Sequence, residues 1–129
     1  MTNRLAAVFG LAATLALGAA APALAAAGNH PCFFISQWQG WKSPSPNVIY
    51  LGVNNHDVYR VDLSAGSSEL QSPGVHLVSV FRGTSSVCDA LDLDLKASDG
   101  HGFTEALIAR SLTKLTPEEI AAIPPKYRP

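Results

Sequence analysis

The sequence predicts a mainly β protein: a small antiparallel barrel or sandwich of about six strands, followed by a short C-terminal helix. Three observations carry this. Short runs of β-branched and aromatic residues recur from Cys32 to Leu115. Turns rich in Gly, Asn, Ser and Pro separate them at intervals of roughly 8–12 residues. Thr116-Pro117-Glu118-Glu119 then places an N-cap residue, a proline at the first helical position and a glutamate three residues after the cap, which is a capping box.

The N-terminus is of another kind. MTNR carries a positive charge, residues 5–21 form an uncharged apolar stretch, Pro22 breaks it, and Ala23-Leu24-Ala25 supplies a small-x-small cleavage pattern. This is the layout of a secretory signal peptide, cut after residue 25, or after 27 if Ala25-Ala26-Ala27 is used. A membrane anchor needs about 20 apolar residues. Pro22 and the alanines behind it argue against one, so no stable span is expected after processing. The expected organisation is a leader at 1–25 and a single β-rich domain at 26–129, loose from about residue 124. Such a domain is long enough to bury one core. Its expected location is periplasmic or secreted.

The elements follow in order. Cys32-Phe33-Phe34-Ile35 suits a first strand. Lys42-Ser43-Pro44-Ser45-Pro46 reads as a loop by composition. Asn47–Val53 and Val58–Leu63 are strand-like runs around Asn54-Asn55-His56-Asp57, whose Asn and Asp residues tolerate left-handed backbone, so the pair predicts a β-hairpin. Within its second strand Tyr59, Val61 and Leu63 share one face, and Arg60 and Asp62 the other. Residues 64–74 form a loop with Glu69-Leu70 inside it. Val75–Phe81 is a further strand, and Arg82–Ser86 a turn. Leu91-Asp92-Leu93-Asp94-Leu95-Lys96 alternates strictly, which predicts three inward leucines. Residues 98–102 form another turn. Phe103–Leu115 suits a helix by propensity and a strand by pattern, with Ala106, Ile108 and Arg110 on one face. The hairpin spacing of the neighbouring turns favours the strand. The helix from Pro117 stops near Ile123, where Pro124-Pro125 cannot continue it.

The two cysteines, Cys32 and Cys88, have four conceivable fates. Lipidation requires small residues before Cys32, and Asn29-His30-Pro31 stands there. A nucleophile needs a nearby base. His30 is two residues away, but Pro31 lies between them and fixes an extended backbone. A metal site needs more ligands, and His30, His56, His76 and His101 are scattered singly. An exported chain with two cysteines has one intramolecular pairing, so a structural Cys32–Cys88 disulfide is expected.

Other chemistry fails on its own terms. Asp92-x-Asp94 with Asp99-Gly100 tempts toward a calcium loop, but Lys96, Ala97 and Phe103 occupy positions where oxygen, glycine and glutamate are needed. Ser111-Leu112-Thr113-Lys114 spells S-x-x-K without its companion motifs. No phosphate loop, dinucleotide fingerprint or zinc-protease motif occurs, so no metal and no cofactor is expected. Nine Lys+Arg stand against 10 Asp+Glu, for a net charge of −1. The leader's Arg4 takes one of those positive charges. A balance this small and mixed does not point to nucleic acid.

Over nearly the whole exported portion the chain resembles a family of small exported proteobacterial proteins of unestablished function. The resemblance lies in an early cysteine, the Gly40-Trp41 pair, Asn47-Val48-Ile49-Tyr50-Leu51, the tract Asp57–Leu63, a cysteine before Asp89-Ala90-Leu91-Asp92, and Leu115-Thr116-Pro117-Glu118-Glu119. Many such proteins have two further cysteines, where this chain has Ser67 or Ser68 and Gly102 or Phe103. The resemblance thus implies that Cys32 and Cys88 are the pair that remains. It implies no activity, cofactor or catalytic residue.

The function expected is a non-catalytic exported module that binds an unknown protein or small ligand in the cell envelope. The candidate surface is Trp38 and Trp41 with Tyr50 and Tyr59. An inhibitor of a secreted hydrolase is the alternative, with residues 54–57 or 82–86 as the plug. A hydrolase using the carboxylates of Asp89, Asp92 and Asp94 is a third reading.

Overall fold

Two asparagines start the sheet. Asn54 and Asn55 take φ of 53° and 65°, a left-handed pair that few residues other than glycine adopt readily. They join β3 (Val48–Val53) to β4 (Asp57–Leu63), in register from Val48 opposite Asp62 to Val53 opposite Asp57. The computed structural model describes residues 32–80, 83 and 85–129. The expected leader, His30, Phe81 and Arg82 lie outside the described residues. The remaining strands are β1 (Phe33–Phe34), β2 (Trp38–Ser45), β5 (His76–Ser79), β6 (Ser86–Val87), β7 (Asp94–Ser98) and β8 (Thr104–Lys114), followed by α1 (Pro117–Ala122). Six of them form a nearly closed, barrel-like antiparallel sheet in the order β2-β3-β4-β8-β7-β5, and β1 pairs separately with β6.

β2 corrects the loop expected at residues 42–46. It runs through Pro44, which is tolerated because β2 is an edge strand and its register breaks between Lys42 and Ser45. The Ser43 hydroxyl lies 2.6 Å from the Ser45 carbonyl and 3.0 Å from that of Val48, tying the irregular end.

β8 is a strand, as its turns suggest, and it joins the two halves of the sheet. Leu107 and Leu112 are both buried, although an odd spacing puts such residues on opposite faces of a regular strand. A bulge resolves the conflict. Asp62 stands opposite Ser111 and Leu63 opposite Ala109, so Arg110 is the extra residue and the inward face changes phase there.

The alternation through 91–96 holds only in part. Leu93 and Leu95 are buried, but Leu91 is 92 % exposed. Ala90–Asp92 is a 3₁₀ turn whose N-terminal end is capped by two carboxylates. Asp89 accepts from the Leu91 N–H at 2.7 Å, and Asp92 accepts from the Cys88 and Asp89 N–H groups at 2.8 and 3.1 Å. Local side-chain bonds to the backbone outcompete the strand here.

The core is centred on Ile49, Leu51, Val53, Val61, Val87 and Leu95. The Cys32–Cys88 disulfide, with Cα atoms 4.2 Å apart, lies one residue outside the paired Phe33 and Val87. It secures the β1–β6 pair, whose Phe33 ring packs on Tyr59 at 4.7 Å between centroids. Leu70, on a 3₁₀ turn over Ser68–Gln71, fills the gap between edge strands β2 and β5. Ser67 caps that turn and, fully buried, donates its hydroxyl proton to the Glu105 carboxylate.

The tail is not loose. α1 begins with the expected box: the Thr116 N–H donates to Glu119 Oε2 at 2.8 Å, and Glu119 N–H to Thr116 Oγ1 at 3.3 Å. After Ile123 the chain makes a 3₁₀ turn over Pro125–Tyr127. The Arg128 guanidinium then donates back to the carbonyls of Ala121 and Ile123 at 2.7 and 2.9 Å, satisfying helix-end acceptors. Pro129 sits against Gly52, where a β-carbon would come within 3.2 Å of its ring.

Two outcomes test this account. Replacing both Cys32 and Cys88 by alanine removes a 56-residue loop closure and lowers unfolding free energy by about 4 kcal/mol in urea titrations. Ser67→Ala removes a cap and leaves Glu105 without its buried donor, for a loss of about 1–2 kcal/mol in the same assay.

Candidate functional site

The four aromatic residues expected to form one surface do not. Trp41, Leu51 and Tyr59 occupy one inward row across β2, β3 and β4, whereas Tyr50 shares the outward row with Lys42 and Arg60. Tyr59 is 3 % exposed and belongs to the core, which removes it from any binding surface. Trp38 is half-buried against the core, and its indole N–H donates to the Gly40 carbonyl at 2.8 Å.

Trp41 lies where the barrel fails to close. Edge strands β2 and β5 do not pair, and at this seam an open cleft of 570 Å³ lies between β2, the Leu70 turn, Val75 just ahead of β5, and the tail. Trp41, Leu70, Val75 and Tyr127 give it apolar surface, with Gln71, Ser43, Lys42 and Lys126 beside them. Lys42 and Lys126 are exposed and positive, and among the described residues no carboxylate lines the cleft. Lys126 Nζ stands 4.6 Å from the centre of the Tyr127 ring, within cation–π range. In a chain of net charge −1, this is a local reversal of sign.

Sequence reasoning finds Trp41 and misses Tyr127 and Lys126. They arrive through the docked tail, and Arg128's bonds to the helix end are the cause. Pro124-Pro125 is the signal for it: two adjacent prolines restrict the backbone and favour a defined tail.

The other expected chemistry is dispersed. Asp89 and Asp92 spend carboxylate oxygens on backbone N–H groups and form no buried pair. Ser111 donates to Asp62 at 2.9 Å, while Lys114 pairs with Asp57 at 2.9 Å, so the S-x-x-K residues serve separate partners along β8. Among the described residues no group of three or more His, Cys, Asp or Glu side chains is placed to hold a metal, and no helix is long and apolar enough to cross a membrane. The turn at 54–56 is pinned, its Asn55 N–H donating to Gln39 Oε1 at 2.7 Å. The second inhibitory loop lies partly outside the described residues.

Four groups of the sheet, Tyr59, Arg60, Asp62 and Lys114, depart from their ordinary pKa values. Burial alone raises the Asp62 pKa, but hydrogen bonds from Arg60 at 2.8 and 3.0 Å and from Ser111 outweigh it and hold the carboxyl below its usual value. Burial pushes the Tyr59 phenol up despite the Lys114 charge. Lys114 is raised by its bond to Asp57.

Comparison of the chain with protein-family models, with characterised proteins and with solved structures returns no match in any of the three. The disulfide itself fits an oxidising, non-cytoplasmic compartment.

A depressed carboxylate stabilises the fold above its unfolded pKa of about 4, and that contribution is lost as pH falls through the lower folded value. Raised groups do the reverse: Tyr59 and Lys114 contribute fully below about pH 10, and their contribution is lost as pH rises further. Asp62→Asn therefore flattens the acid limb of a stability-versus-pH curve, and Tyr59→Phe removes a late-ionising component from the ultraviolet titration of the folded chain.

Proposed function

We propose that this chain is a non-catalytic exported binding module of the bacterial cell envelope, periplasmic or secreted, that holds an acidic saccharide in the seam cleft. The observation that carries the reading is the pairing of an aromatic wall, Trp41 and Tyr127, with two lysines and, among the described residues, no lining carboxylate. Binding sites of this kind set apolar surface against a few polar groups that fix orientation. The flat faces of a sugar ring suit the aromatic side chains. Lys42 and Lys126 suit its carboxylate, and the Gln71 amide suits its hydroxyls. The leader pattern and the disulfide support the location, and the sequence resemblance to small exported proteobacterial proteins agrees with it.

The test is a titration with trigalacturonate, with neutral galactotriose in parallel, followed by amide and indole NMR shifts. The acidic sugar shifts Trp41, Lys42, Lys126 and Tyr127, and binding weakens as salt is added. Lys42→Gln combined with Lys126→Gln weakens it about tenfold, as two exposed charge contacts together supply. Equal binding of the neutral sugar, or shifts confined to residues away from the seam, would overturn the assignment.

A further inference from the structure

The most exposed apolar side chain is held on rigid backbone. Leu91 is 92 % exposed, yet its turn is closed by the Asp89 and Asp92 carboxylates and follows directly on the disulfide at Cys88. Ile108, 66 % exposed, stands near it on the outer face of β8 and lines the same hollow, next to Ala106. Val78, 44 % exposed, lies two strands away, with Lys96 between it and Ala106. Isolated exposed apolar residues are ordinary, but a contiguous group marks a contact surface. Here a knob is flanked by two hollows. Leu91 borders both: one of 470 Å³ has Leu93, Leu107 and Ile108 in its lining with Asp92 and Asp94 at its rim, and one of 320 Å³ has Leu112, Arg110 and Asp89.

We infer that this face pairs with a second copy of the chain about a two-fold axis. A two-fold interface needs one patch that carries both a projection and its receptacle, and Leu91 lies beside the Leu93–Ile108 hollow on the same face. The charges agree with that choice of partner. Lys96 lies opposite Ala106 at one end of the patch, and Asp94 opposite Ile108. At the Leu91 end, Asp89 and Asp92 outnumber Arg110. A partner of one sign meets repulsion at one end. A copy turned by half a revolution sets Lys96 of each chain toward the Asp89–Asp92 turn of the other, and seats each Leu91 in the opposite hollow. The surface is separate from the seam cleft and stands whether or not the cleft takes a sugar.

Sedimentation velocity over a range of concentrations tests this on the disulfide-bonded chain. The expected result is a concentration-dependent dimer. Leu91→Asp, which disturbs no buried contact, raises its dissociation constant about a hundredfold, since both copies lose a central anchor at once. Ile108→Lys does the same with an unchanged circular dichroism spectrum, and Lys96→Glu weakens the dimer most at low salt. A wild-type chain that stays monomeric at about 1 mM overturns the proposal. A dimer insensitive to Leu91→Asp does so too, as does a monomer whose Leu91 face retains a different envelope protein.

Discussion

The Cys32–Cys88 bond joins two segments that have little else to hold them. β1 and β6 are two residues each and, among the described residues, pair only with one another. A two-stranded ribbon that short has no stability of its own in water. The covalent link fixes its register, so that Phe33 and Val87 enter the core together. Phe33 then meets Tyr59, and Tyr59 stands opposite Leu51 in the central hairpin. The same link anchors the residue before the Ala90–Asp92 turn, so the backbone that presents Leu91 inherits its position from the sulfur atoms.

The second constraint is the phase change in β8. This strand borders β4 on one side and β7 on the other. Those neighbours require inward residues an odd number of positions apart, Leu107 for β7 and Leu112 beyond the bulge for β4. The extra residue at Arg110 lets one long strand serve both halves. Bulges also add local twist, which is what a sheet must do to curl almost onto itself. The curl stops short at β2 and β5, and the Leu70 turn, the Trp41 ring and the tail collect around the opening.

Most of the strands are legible in the sequence because their patterns are local. The β3–β4 hairpin follows from alternation and two asparagines, and the capping box of α1 from four consecutive residues. The disulfide follows from a count of two cysteines behind a leader-like stretch. What escapes a sequence reading depends on partners far along the chain. Pro44 reads as a loop until β2 is known to be an edge strand. Leu91 reads as core because alternation is visible, while the competing carboxylate bonds of Asp89 and Asp92 depend on where Cys88 is tied. Tyr59 is correctly assigned to an inward face by the pattern, yet it is also proposed for a surface on aromatic character alone; the two readings conflict, and burial decides for the core. Tyr127 and Lys126 join Trp41 only because Arg128 folds the tail back.

Pro44 has a consequence beyond local geometry. A sheet with two unpaired margins offers its backbone to any neighbouring molecule, and stacking along such margins is how fibrils begin. Proline lacks an amide hydrogen and interrupts that row, and the irregular stretch from Lys42 to Ser45 bends the margin further. The chain can therefore leave its seam unsealed in a crowded extracytoplasmic space without templating its own polymerisation.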